Sequence, residues 1–196
     1  FYRKQNFRWL QFIPCIDPFD RADGEPCYTL TADGYGDFLV RLFDLWFDDL
    51  RHGEYISIRH LDNWLSILLG ERPEACNMAG CCSVQFVVEG DGGVYPCDFY
   101  VLDEWRLGNI GETGLADMQN SETAKRFVRQ SLAVPEECKT CQWFGLCRNG
   151  CRRDRDILPN GVIGQNIYCM AYKKFFSERF RQLAQSIECI QRMQYR

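Results

Sequence analysis

Histidine is almost missing from this 196-residue chain, which has two. Neither His52 nor His60 has an evident partner in the sequence, so no chemistry is assigned to them. Basic excess is also missing: 23 Lys and Arg stand against 27 Asp and Glu, a net charge of −4. That balance gives no sign of a nucleic-acid surface. No apolar run approaches the roughly 18 residues that a membrane span needs. There is no charged n-region, apolar h-region and cleavage site at the start. The chain opens on Phe1, not Met, inside what reads as a folded segment. The expectation is a fragment whose N-terminal part is missing. Repeats and low-complexity linkers are absent too.

What is there is cysteine, twelve in all. Eight fall in one rhythm: Cys76, Cys82, Cys97, Cys138, Cys141, Cys147, Cys151 and Cys169. Six disulfides in a secreted protein are the plain alternative. Disulfide-dense scaffolds are small and core-poor, whereas this chain is 46% hydrophobic and carries long helical patterns. Clustered Cys-x2-Cys spacing without a secretion signal points instead to metal. Thiolates are soft anionic ligands that suit Zn or an iron–sulfur cluster and suit Mg or Ca poorly. Spacing leaves Zn and iron–sulfur open, and it leaves open which four cysteines share a centre. A domain poor in regular core would gain folding energy from such centres.

The remaining pattern gives the frame. Trp9 to Ile16 is an apolar run of strand length, read as buried on both faces. Asp20 to Thr31, broken by Gly24 and Pro26, reads as a loop. Apolar residues at Phe38, Leu39, Leu42, Phe43, Leu45, Trp46 and Leu50 mark a helix, with Thr31 or Asp33 as cap and Gly53 as stop. A short strand over Tyr55 to Ile58 and a helix over Leu61 to Leu69 follow. Strand, helix, strand, helix look like the last units of a β/α barrel. Beyond Cys76, Val84 to Glu89 alternates as a strand, Gly90 to Gly93 turns, and Val94 begins the return. Ser121 caps an amphipathic helix with Ala124, Phe127 and Val128 inward. A long helix runs from Asn166 to the end, with Tyr172, Phe175, Phe176, Phe180, Leu183, Ile187 and Ile190 on one side. The expected fold is therefore an α/β remnant over 1–72, followed over 73–196 by an α+β, Cys-rich domain with a β-hairpin and a long C-terminal helix.

The octet resembles the SPASM domain of radical S-adenosylmethionine (SAM) enzymes, and within them the anaerobic sulfatase-maturating enzymes. The residues that carry the resemblance are Cys76-x5-Cys82-x14-Cys97 with Tyr95-Pro96-Cys97-Asp98-Phe99-Tyr100 around the third cysteine. Leu107-Gly108-Asn109-Ile110 follows, then Cys138-x2-Cys141-x5-Cys147-x3-Cys151-x17-Cys169. Upstream, Gln11-Phe12-Ile13-Pro14-Cys15 is similar to the sixth strand of the family's partial barrel.

The resemblance implies two auxiliary [4Fe–4S] clusters, one on Cys76, Cys82, Cys97 and Cys151, the other on Cys138, Cys141, Cys147 and Cys169. It implies conversion of a cysteine or serine of a sulfatase precursor to Cα-formylglycine. There, a 5′-deoxyadenosyl radical made from SAM at a third [4Fe–4S] cluster takes hydrogen from the substrate Cβ. That third cluster needs Cys-x3-Cys-x2-Cys, which this sequence lacks, so SAM and its cluster are expected outside the chain and the chain alone is expected to be inactive. Asp98 is implied as the base that deprotonates the substrate thiol or hydroxyl, and Ile16 as a neighbour of the SAM adenine, with plain barrel core as the alternative. Tyr100 is read as a buried aromatic or a channel residue. Arg148, Arg152 and Arg153 either offset thiolate charge or are ordinary surface charge. Cys15, Cys27, Cys81 and Cys189 are read as thiols outside the octet. Expected partners are the sulfatase precursor and an electron carrier such as ferredoxin or flavodoxin, with no nucleic acid and no membrane, in a cytoplasmic monomer. Two other readings stay open: a SPASM maturase of another ribosomal peptide, and a Zn-stabilised binding module.

Overall fold

The computed structural model describes residues 1–22, 26–155 and 163–194, with the side chain of Gln194 excepted. Gly24, read above as a loop breaker, and the last two residues of the C-terminal helical pattern lie outside the described residues. The chain divides into two compact units, Phe1–Ala75 with Ile167–Arg196, and Cys76–Asn166.

The first unit contains β1 (Trp9–Leu10), α1 (Ala32–Arg51), β2 (Ser57–Ile58), α2 (Arg59–Leu68) and α7 (Cys169–Gln194). The α1 helix begins where the sequence places it: Thr31 Oγ1 accepts from Gly34 N at 3.1 Å, satisfying one orphan donor of the first turn. Its buried face is Tyr35, Gly36, Leu39, Phe43, Trp46 and Leu50. Leu45 falls off this stripe and is half exposed. The α1 and α7 backbones approach closely at Gly36, where an added Cβ would lie 3.3 Å from Ala171 Cα. Phe175 stacks on Trp64 at 4.6 Å and meets Phe43 edge-on at 5.6 Å. Arg179 forks onto Asp44 at 2.7 and 3.0 Å. Each fully buried aromatic there removes enough apolar area to contribute about 2–3 kcal/mol. This packing is why α7 groups with residues 1–75 in space, although the sequence reading set it with the Cys-rich segment.

The strand expected over Trp9 to Ile16 forms only at Trp9–Leu10, parallel to Ser57–Ile58. It is not buried on both faces: Trp9 is 82% and Ile13 70% exposed. A parallel ladder persists only where a partner strand lies alongside, and the partner here is two residues long.

The second unit holds a three-stranded antiparallel sheet of β3 (Val87–Val88), β4 (Gly93–Tyr95) and β5 (Gly108–Asn109) in the order β3-β4-β5. The hairpin is the one expected, but the strand over Val84 to Glu89 shrinks to two residues. Among the described residues four short helices follow: α3 (Leu115–Asn120), α4 (Glu122–Ser131), α5 (Glu136–Lys139) and α6 (Phe144–Cys147). Ser121 Oγ caps α4 by accepting from Ala124 N at 3.1 Å. Among the described residues, apolar burial includes two small clusters. One is Val94, Leu107, Met118 and Ala124. The other is Tyr100, Trp105 and Phe127, with Cys82, Cys97 and Val128 packed on it.

Candidate metal centre

Four cysteines far apart in sequence line one cavity of the second unit: Cys76, Cys82, Cys97 and Cys151. Each is held by a local device. Cys76 opens a 3-10 turn (Cys76–Met78). The Cys82 amide donates to Ser131 Oγ at 2.9 Å, and that hydroxyl donates to Val128 O at 2.6 Å, tying the segment to the end of α4. Cys97 lies one residue beyond the end of β4, after Pro96, and precedes a 3-10 turn (Asp98–Tyr100). Cys151 precedes another (Arg152–Asp154), with its Sγ accepting from Arg153 N at 3.4 Å. All four are free thiols. The cavity, counting its open mouth, encloses about 380 Å³.

Among the described residues no three Cys, His, Asp or Glu side chains gather tightly enough for a single ion. A tetrahedral Zn site, with Zn–S near 2.3 Å, needs sulfurs within about 4 Å of one another. The thiols ring a space instead. That donor set, soft and fourfold around a cavity, fits a multinuclear cluster.

Burial sets the electrostatics. Desolvation raises the Cys82 thiol, against a Ser131 hydrogen bond and the Arg152 and Arg155 charges that lower it. Desolvation is also the main cause at Cys97, which is pushed well above the ordinary thiol range, and at Cys151, which is pushed up to about 12. Burial favours the neutral thiols, and a metal would reverse that preference by holding thiolates outright.

Asp98 is exposed beside this cavity, and its Oδ1 accepts from Cys97 Sγ at 3.2 Å. Ionising Cys97 would remove that donor and leave the carboxylate oxygen free for another proton. Tyr100 is 2% exposed and packs edge-on to Phe127 at 5.1 Å. Cys81, outside the octet, also lines the cavity.

The other set is reached differently. Cys138 (buried), Cys141 and Cys147 lie in the second unit, around α5 and α6, whereas Cys169 begins α7 in the first. Cys138 Sγ donates to Asn149 Oδ1 at 3.7 Å, and Asn149 Nδ2 is buried with no partner among the described residues. An orphan buried donor beside a thiol suits an anionic sulfur acceptor. Between Cys147 and Cys151, Arg148, Asn149 and Gly150 all adopt the left-handed region, with φ of 48°, 65° and 66°. Asn166 closes this reversal, donating from N to Asn149 Oδ1 and from Nδ2 to Asn149 O, both at 3.2 Å.

Ile16 is partly buried in the first unit, downstream of β1. Of the three arginines named from sequence, Arg152 alone lines the cavity. The residue that the sequence reading missed is Arg155, also on the cavity and 1% exposed. Its signal was the run Arg152-Arg153-Asp154-Arg155 straight after a candidate ligand, too charged for a buried segment unless those charges have a use.

The family model of the SPASM iron-sulfur cluster-binding domain matches residues 76–142. A cysteine-type anaerobic sulfatase-maturating enzyme of Clostridium novyi is 48% identical over 184 residues, 93% of this chain and 49% of that protein. A serine-type enzyme of Bacteroides thetaiotaomicron is 28% identical over 192 residues, 90% of this chain and 46% of that protein. The solved structure of native anSMEcpe with bound AdoMet matches at a TM-score of 0.90 and 44% identity, covering 96% of this chain and 52% of that one. The chain thus spans about half the length of the curated relatives it matches.

Proposed function

We propose, for a chain that is homologous to the anaerobic sulfatase-maturating enzymes over 93% of its length, that it is the C-terminal, SPASM-bearing part of a radical SAM enzyme converting a sulfatase residue to Cα-formylglycine. Residues 1–72 are then the end of the partial barrel and 73–196 the SPASM domain. The exposed apolar run at Trp9 and Ile13 is surface that a fuller barrel would cover, and Ile16 is the candidate neighbour of the SAM adenine. The substrate residue is a cysteine: identity is 44–48% to cysteine-type relatives and 28–29% to serine-type ones.

The observation that carries the reading is the convergence of Cys76, Cys82, Cys97 and Cys151 on one cavity with Asp98 at its edge. These four would hold one [4Fe–4S] cluster. Cys138, Cys141, Cys147 and Cys169 would hold the other. Bound clusters supply electron transfer, and complete cysteine ligation leaves no open iron for substrate. Asp98 does the acid–base work: its carboxylate takes the proton of the substrate thiol, within hydrogen-bond reach of that group. The parent protein works in the cytoplasm as a monomer, with a sulfatase precursor as substrate and a ferredoxin or flavodoxin as electron partner. The chain by itself is inactive, because it contains no Cys-x3-Cys-x2-Cys segment. No helix among the described residues is long and apolar enough to cross a membrane.

Anaerobically purified chain should carry about eight irons with matching sulfide, from two four-iron centres. Zn without sulfide would overturn the assignment. In the full-length enzyme, Asp98→Asn should lower formylglycine formation by about 10²-fold or more with iron content unchanged. Near-normal turnover sinks the role given to Asp98.

A further inference from the structure

Two guanidinium groups are buried in the wall of the thiol-lined cavity. Arg152 is 3% and Arg155 1% exposed, and both line the cavity. Buried cations are costly unless an anion or a dense set of dipoles compensates them. Arg152 is caged by rings, its guanidinium carbon 4.8 Å from the Tyr100 centroid, 4.6 Å from Trp105 and 4.7 Å from Phe127. It donates to Phe127 O and Gln130 Oε1, both at 2.9 Å. Arg155 donates to Cys151 O at 3.3 Å, Ala133 O at 3.2 Å and Ser131 O at 3.1 Å. Three of its five N–H donors meet neutral carbonyls, and among the described residues its charge has no ion pair. Cys82 and Cys151 are the groups whose charge, once they are thiolates, would act most on Arg155.

We propose that Arg155, seconded by Arg152, is the built-in counter-charge of the cluster held by Cys76, Cys82, Cys97 and Cys151, and that it sets that cluster's reduction potential. The inference rests on the proposed ligand set. A four-iron core with four thiolates carries a net negative charge that grows by one on reduction. A fixed cation in the cavity wall stabilises the reduced form more than the oxidised form, so it raises the potential. The positions of the side chains make this a fixed effect: the carbonyl bonds and the ring cage hold both charges before any cluster arrives.

The test uses the loaded, full-length enzyme under anaerobic conditions, with iron per chain and a spectroscopic redox titration as readouts. Arg155→Met removes the charge at similar length, whereas Arg155→Lys keeps it and loses most of the carbonyl bonds. Expected is a fall in the potential of one cluster in Arg155→Met by at least a tenfold shift in the reduction equilibrium, about 59 mV for one electron, with Arg155→Lys close to wild type. Loss of one cluster's iron in Arg155→Met but not in Arg155→Lys supports the proposal equally. If the two variants behave alike, whether both unmoved or both stripped of iron, the residue is a structural clamp and the proposal is overturned. Wild-type protein without sulfide-bound iron would overturn the ligand assignment instead.

Discussion

The two units bury different things. The first packs helices through aromatic side chains that touch one another directly, as Phe43, Trp64, Phe175 and Phe176 do. Among its described residues the second has three strands of two or three residues and four short helices, and what it buries includes Arg152, Arg153, Arg155 and Cys138, with most of its other cysteines half-buried. Apolar area accounts for the first. For the second, the apolar clusters among its described residues are small, and bound clusters would add their binding energy to its folding energy. The difference teaches that the first unit leans on apolar packing, whereas the second is expected to draw part of its stability from its contents.

The comparison breaks most sharply if the contents are removed. Stripping iron with a chelator, or replacing Cys97 with Ser, should raise amide exchange across Cys76–Asn166 while α1 stays protected, since cofactor binding energy is folding energy here. Equal loss of protection in both units would end the distinction. The converse experiment is Phe43→Ala in the first unit, where the side chain is fully buried. It should cost about 3–5 kcal/mol in thermal unfolding without changing iron per chain.

A smaller effect sharpens the picture of the first unit. His60 lies 4.5 Å from the Trp64 ring and 6.1 Å from Tyr172, and burial pulls its pKa down to about 4. The folded state therefore refuses a proton that the unfolded chain accepts below its pKa of about 6.5. Stability is full above that pH and falls as pH drops toward 4, by at most about 1.4 kcal/mol per pH unit. His60→Phe should flatten the slope of stability against pH in that window relative to wild type. An unchanged slope would place the titration elsewhere.

Much of the first unit was legible because its signals are local. Thr31 as cap, the α1 stripe and the aromatic side of α7 all follow from spacing within one helix. The same held for the Gly90 to Gly93 turn and for Ser121. Missed features depend on residues that the fold brings together. Trp9 to Ile16 looks like a buried strand because apolar runs usually are, yet ladder formation depends on neighbours that sequence does not count. Ser186 sits in the buried side of α7 because its hydroxyl donates to Gln182 O at 2.9 Å, and a serine breaks an apolar pattern on paper. Arg155 was passed over for the opposite reason: a charged residue is presumed to be outside. The cysteines were visible as a rhythm, but spacing left their division into two sets open. The resemblance supplied a division, and Cys151 lines one cavity together with Cys76, Cys82 and Cys97, and with Cys81.

Three residues separate Cys147 from Cys151, the ligands proposed for different clusters. Arg148 and Asn149 occupy a backbone region that costs about 1–2 kcal/mol for residues with a side chain, and at Gly150 an added Cβ would lie 2.3 Å from Asn166 Nδ2. Arg148, Asn149 and Gly150 act as a length standard. One residue inserted between Cys147 and Cys151 adds up to about 3.5 Å of chain, enough to carry a sulfur away from its cavity with no change in charge or hydropathy. The segment is therefore expected to tolerate many changes of side chain at position 148 and none of length, so that gaps, not substitutions, mark its limits.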